Sequence, residues 1–167
     1  MPVSDRPLPL DTGVLIALAA ATGSWDVLNV LERPMAITPV VLDEVRRGAQ
    51  DSPGVATPLP KCMQLWTQEH PTAPWLHNVL DPGEASVIAL ALERQWQEVA
   101  IDEAVGRSVA KTCQLRLTGS LGLLIRAKRM GYPGTLAEAI SRIRSCGIWV
   151  GDKVKLAALK AAGESVE

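Results

Sequence analysis

Asp81-Pro82-Gly83-Glu84-Ala85-Ser86-Val87-Ile88-Ala89-Leu90-Ala91-Leu92 is the stretch whose reading decides the fold. Asp81 can cap a helix, Pro82 can occupy its first turn without losing a hydrogen bond, and Glu84 falls at the third position of a capping box. The helix behind them, over residues 85–94, is apolar on nearly every side, and such a helix is buried. Its tip is a poor place for an unpartnered carboxylate.

Reading outward, Val99-Ala100-Ile101 predicts a strand, 103–113 a helix, 116–118 a strand and 120–130 a helix stopped by Gly131. Upstream, 8–10 reads as a strand, 14–21 and 25–31 as helices, 35–38 as a second strand and 39–47 as a helix opened by Pro39. Residues 63–67 suit an edge strand, while 52–60 and 71–75 are proline-broken loops, the second with room for a mobile flap. The chain is expected to finish with a helix over 136–145, a short strand over 148–150 and a helix over 152–162. Short strands alternating with longer helices are the pattern of βαβ units and a parallel sheet.

The 167 residues are most simply one domain, and a 47% hydrophobic content describes a well-buried core. The longest apolar run, 14–21, is far short of the roughly 20 residues that span a bilayer, so no membrane segment is expected. Met1-Pro2-Val3-Ser4-Asp5-Arg6 has no basic leader with an apolar stretch behind it, and no signal peptide is expected. Cys62, Cys113 and Cys146 are odd in number and form no CxxC pair, which favours free thiols and a cytoplasmic location. With a net charge of −1, any nucleic acid must be held by a local patch. The basic groups Arg126, Lys128, Arg129 and Arg142, Arg144 read as solvated helix faces. Of the five tryptophans, Trp75 between prolines is the best candidate for an exposed contact, and most of the others are expected in the core.

Four acids carry the chemistry: Asp11, Glu44, Glu84 and Asp102. Three sit at junctions leading into helices, and Glu44 lies one turn beyond such a junction. Strand C-termini and the following helix N-termini share one edge of an open parallel sheet, where ligands bind. Each acid alone has a plain structural reading. Asp11 suits a helix cap, Glu44 an i+3 pair with Arg47, Glu84 the capping box, and Asp102 a cap for the helix after it. Gathered together they would repel one another unless a cation joined them. Oxygen-only ligands select Mg²⁺ or Mn²⁺, and two such ions about 4 Å apart can drive phosphodiester hydrolysis. His70 and His77 lack helical pairing and are not expected to bind zinc with Cys62. Arg107 could meet a phosphate or form a structural ion pair, and Ser120 could offer its backbone N–H to an anion or cap a helix. No GxGxxG or GxxxxGK[ST] loop is present, which sets a nucleotide-binding reading aside.

These motifs together resemble the PIN domain. Leu10-Asp11-Thr12-Gly13-Val14-Leu15-Ile16 is similar to the family's opening Asp-Thr-Asn-Val-Leu-Ile, and Val40-Val41-Leu42-Asp43-Glu44-Val45 to its helix with the second acid. The stretch from Asp81 to Ala91, Ile101-Asp102-Glu103-Ala104-Val105-Gly106-Arg107 and Leu117-Thr118-Gly119-Ser120-Leu121-Gly122-Leu123-Leu124 are closer to one PIN-like branch, domain of unknown function 3368. The likeness runs over about residues 8–162. It implies a three-layer α/β/α fold with a central parallel sheet of four to five strands. It implies a Mg²⁺- or Mn²⁺-dependent ribonuclease related to VapC-type toxins, acting on single-stranded or structured RNA. A homodimer and an antitoxin protein laid across the acidic groove come with that resemblance. Carried over, Asp11, Glu44, Glu84 and Asp102 form the catalytic and metal-binding cluster, Glu103 adds an outer or second-metal ligand, and Thr12 supports the first acid. Gly13 departs from the family's asparagine, and a catalytically inactive module binding RNA or a protein is the alternative.

Overall fold

The computed structural model describes residues 6–48, 59–67 and 73–164. The expected loop over 52–60 falls mostly outside them, as do His70 and the first residues of the expected flap. Three strands, β1 (Leu8–Pro9), β2 (Met35–Ile37) and β3 (Met63–Leu65), pair in parallel in the order β1-β2-β3. Two more, β4 (Glu98–Ala100) and β5 (Arg116–Thr118), form a second parallel pair. Around them lie α1 (Thr12–Thr22), a 3-10 helix (Asp26–Leu31), α2 (Pro39–Gly48), α3 (Pro74–His77), α4 (Pro82–Glu93), α5 (Ala104–Thr112), α6 (Ser120–Arg129), α7 (Leu136–Ser145) and α8 (Asp152–Ala162). The architecture is α/β/α with parallel strands.

One sheet of four to five strands is expected from the resemblance, whereas the described residues form sheets of three and two strands. They meet at a single bridge, Leu10 to Ala100, where the Asp11 N–H donates to the Ala100 carbonyl at 3.0 Å. Pro9 accounts for the break. Leu8 and Leu10 donate towards β2, to the carbonyls of Pro34 and Ala36, both at 2.9 Å. Asp11 donates the other way, to β4, so the preceding donor on that side would be residue 9, and proline has no N–H. On that flank an ion pair ties the sheets instead: Arg33 reaches Glu98 at 2.7 Å and the Arg6 carbonyl at 3.0 Å.

α4 fulfils the reading of its sequence, since its residues from Gly83 to Ala91 are all buried. They join one apolar core with the strands, α1, Trp25 and the inner faces of α6 and α7. Four local expectations differ. Asp81 precedes α4 without a side-chain cap, and the reciprocal capping box forms at Thr135 and Glu138 instead. Residues 26–31 form a 3-10 helix because the segment is short and its polar side chains bond locally, Asp26 N–H to Ser24 Oγ at 3.2 Å and Asn29 to Asp26 Oδ1 at 3.4 Å. Residues 148–150 are no strand: the Ile148 N–H closes α7 on the Ile143 carbonyl at 3.2 Å, and Arg144 Nε takes the Val150 carbonyl at 3.0 Å. Trp149, expected in the core, is 89% exposed, while Trp25 is buried and donates to the Leu15 carbonyl at 2.8 Å. Among the described residues no helix is long and apolar enough to cross a membrane.

Candidate functional site

Parallel strands all point their C-termini the same way, so Asp11 after β1, Asp102 and Glu103 after β4, and Ser120 after β5 stand along one edge. Asp11 is the N-cap of α1, accepting from the Gly13 N–H at 3.1 Å, and is only 3% exposed. Burial pushes its carboxyl up to about 6; backbone N–H groups of Gly13 and Thr12 pull it down, and the charges of Glu44 and Glu103 push it up again.

Glu84 sits in the first turn of α4, 5% exposed, with Oε1 buried and without a hydrogen-bond partner among the described residues. Its pKa is raised to about 7, chiefly by burial and then by Asp11, Glu103 and Asp81, against one backbone hydrogen bond from Asp81. A buried carboxylate oxygen without a donor, pressed by like charges, is costly in the absence of a cation.

Glu44 reaches the same place from α2. Its Oε2 accepts from the Thr12 hydroxyl and its Oε1 from the Gly83 N–H at 2.9 Å, so it joins the start of α1 to the start of α4. Two expectations change here. The Thr12 hydroxyl supports Glu44 and only its backbone N–H supports Asp11, while Arg47 turns to the Asp43 carbonyl at 3.2 Å instead of pairing with Glu44. Glu44 and Glu103 therefore act electrostatically on Asp11, and Asp11 and Glu103 on Glu84.

Asp102 is exposed and does not cap the helix after it, for Glu103 is the N-cap of α5. Its Oδ1 accepts from the Ser120 N–H at 2.9 Å, engaging the donor that the sequence offers to an anion at the start of α6. Arg107 forms no ion pair among the described residues. Its Nη1 donates to the carbonyls of Ile101 at 2.7 Å and Thr118 at 3.2 Å, binding the ends of β4 and β5. His77 is exposed at the end of α3.

Three glycines each make room for one acid, Gly83 and Gly106 beyond any site reading of the sequence and Gly119 in a role other than the anion contact expected of Gly119-Ser120. A Cβ on Gly83 would lie 2.3 Å from Glu44 Oε2, on Gly106 2.2 Å from Glu84 Oε1, and on Gly119 2.5 Å from Asp102 Oδ1. The signal for Gly106 was present, since a glycine within a predicted helix marks a close approach.

All donors here are oxygens, the set that hard divalent cations take. The orphaned Glu84 Oε1, on a carboxyl whose pKa Asp11, Glu103 and Asp81 raise, fits such an ion. Among the described residues no group of three or more His, Cys, Asp or Glu side chains stands close enough together to hold a metal ion. A family model described as a PIN domain, domain of unknown function 3368, matches residues 10–164. No curated protein and no solved structure matches the chain.

Proposed function

We propose, since the chain belongs to the PIN-domain family in the branch termed domain of unknown function 3368, that it is a divalent-metal-dependent endoribonuclease. The observation that carries the reading is the buried Glu84 Oε1, without a partner among the described residues, on a carboxyl that feels the charges of Asp11, Glu103 and Asp81. Asp11, Glu84 and Asp102 would hold Mg²⁺ or Mn²⁺, with Glu103 at the rim. When bound, the ion supplies charge neutralisation and a water acidic enough to attack a phosphodiester near neutral pH.

The residues themselves divide the remaining work. Glu44, with both oxygens engaged, fixes the tip of α4 and so positions Glu84. Without a cation Glu84 shares a proton with solvent near neutral pH, and cation binding releases it. Arg107 fixes the ends of β4 and β5 from which Asp102 projects. Hydrolysis adds one water across a P–O bond of RNA: its oxygen goes to phosphorus and its hydrogen ends on the leaving sugar oxygen. In the same proposal the enzyme is a cytoplasmic homodimer and the toxin of a toxin–antitoxin pair. Co-purification with the product of the gene immediately upstream tests that part.

The alternative is a noncatalytic module of the same fold that binds RNA or a protein. Glu44 favours it, because both its oxygens are already satisfied within the protein. The deciding experiment incubates purified protein with single-stranded RNA, with and without Mn²⁺. Cleavage is expected only with the metal, and Asp11→Asn combined with Glu84→Gln should reduce it to background. Undiminished cleavage by that double variant would falsify the mechanism.

A further inference from the structure

We propose that the groove beside Trp149 is a nucleobase subsite, where a base of a single-stranded RNA stacks while its backbone lies across the acid cluster; this rests on the ribonuclease reading above. The groove encloses about 650 Å³, and its lining includes Asp102, Arg107, Gly119, Gly122, Trp149 and Val154. That volume is of the size that holds small organic ligands. Asp102 belongs both to this lining and to the acid-bearing sheet edge, so a strand crossing the acids continues into the groove.

Trp149 is 89% exposed, an unfavourable position for the largest apolar side chain unless its face is used. It is held there by bonds on both sides. Gly147, at φ +82°, turns the chain out of α7, and the Ile148 N–H bonds the Ile143 carbonyl at 3.2 Å. On the far side Arg144 Nε holds the Val150 carbonyl at 3.0 Å and Arg144 Nη2 holds Asp152 Oδ1 at 2.7 Å. A Cβ on Gly151 would lie 3.8 Å from Trp149 Nε1, so the indole lies against bare backbone. An exposed indole on a backbone fixed at both sides offers a stacking face to a base.

The chemistry selects the base over the phosphate. A phosphate in the groove would meet the Asp102 carboxylate, and the cation in the lining, Arg107, already donates through Nη1 to the carbonyls of Ile101 and Thr118, whereas an uncharged aromatic ring meets the indole face, the Val154 side chain and the glycine backbone. The phosphate is left to the acid edge, where a cation offsets the repulsion. Stacking of this kind tolerates any base, so little sequence preference is expected from this contact.

The test is fluorescence anisotropy of a labelled single-stranded RNA decamer titrated with the full-length protein in Ca²⁺, which takes oxygen ligands and offsets the acid charge, with the RNA checked by gel to be intact after each titration. Trp149→Ala should weaken binding by about 5- to 150-fold, the range for loss of one stacked base. Trp149→Tyr should keep most of the affinity, and an abasic decamer should bind both the wild type and Trp149→Ala equally weakly. Equal affinity of wild type and Trp149→Ala for the intact decamer overturns the subsite. So does a Trp149→Ala protein whose RNA affinity is unchanged but whose oligomeric state falls, since a second copy would then cover the indole. A chain that cleaves nothing with Mn²⁺ but shows the Trp149 dependence loses the ribonuclease reading and keeps the subsite; the reverse pair of results separates them equally well.

Discussion

Burial holds the carboxyls of Asp11 and Glu84 at about 6 and about 7, against ordinary values of 3.8 and 4.5. In metal-free protein the folded state therefore binds protons more tightly than the unfolded state. The stability these two groups confer is full below about pH 4 and is lost as the pH rises to about 7. Because one pKa unit corresponds to about 1.4 kcal/mol, the loss is on the order of a few kcal/mol for the pair. Denaturant titrations in EDTA should show the midpoint falling between about pH 4 and about pH 7, with Asp11→Asn/Glu84→Gln flattening the slope. Parallel curves for the two proteins would remove the electrostatic account. At this scale the sequence placed Asp11 and Glu84 correctly at helix starts, because capping chemistry is local. It could not assign the Thr12 hydroxyl to Glu44 or Arg107 to the carbonyls of Ile101 and Thr118, since those partners are met only after the chain has folded.

The last two helices kept the bounds read from periodicity, Leu136–Ser145 and Asp152–Ala162, and α4 proved buried as its composition requires. Periodicity misjudged residues 148–150, which are strand-like in composition but have their backbone groups committed to α7 and Arg144. The packing of α5 against α4 is likewise a matter of one residue type. Alanine in a helix interior ordinarily gains about 1 kcal/mol over glycine, yet a Cβ at Gly106 would stand 2.2 Å from Glu84 Oε1 and 2.7 Å from its Cδ. We expect Gly106→Ala to fold, with a metal-free melting temperature within a few degrees of wild type. Its Mn²⁺-dependent cleavage should drop by about tenfold or more as Glu84 is displaced. Wild-type cleavage by this variant would show that the close approach of α5 to Glu84 is unimportant.

Across the molecule, the two parallel sheets meet at the Leu10–Ala100 bridge, and Arg33 and Glu98 hold the flank where Pro9 interrupts the ladder. The bridge matters for the site because it brings the end of β1 beside the end of β4, and with them Asp11 beside Glu103. Alternation of elements made the parallel arrangement legible, and the rule that strand ends share an edge made the nearness of Asp11, Glu44 and Glu84 foreseeable, though not of Asp102. The split into three and two strands followed from Pro9, which was in plain view but whose consequence depends on which neighbour each N–H faces. Everything functional rests on those acids sharing a cation. Isothermal titration calorimetry of Mn²⁺ into the metal-free protein near neutral pH tests this most directly. Saturable binding with proton release is expected from the wild type, and its loss in Asp11→Asn/Glu84→Gln. Binding that is absent from the wild type, or that persists unchanged in the double variant, contradicts it.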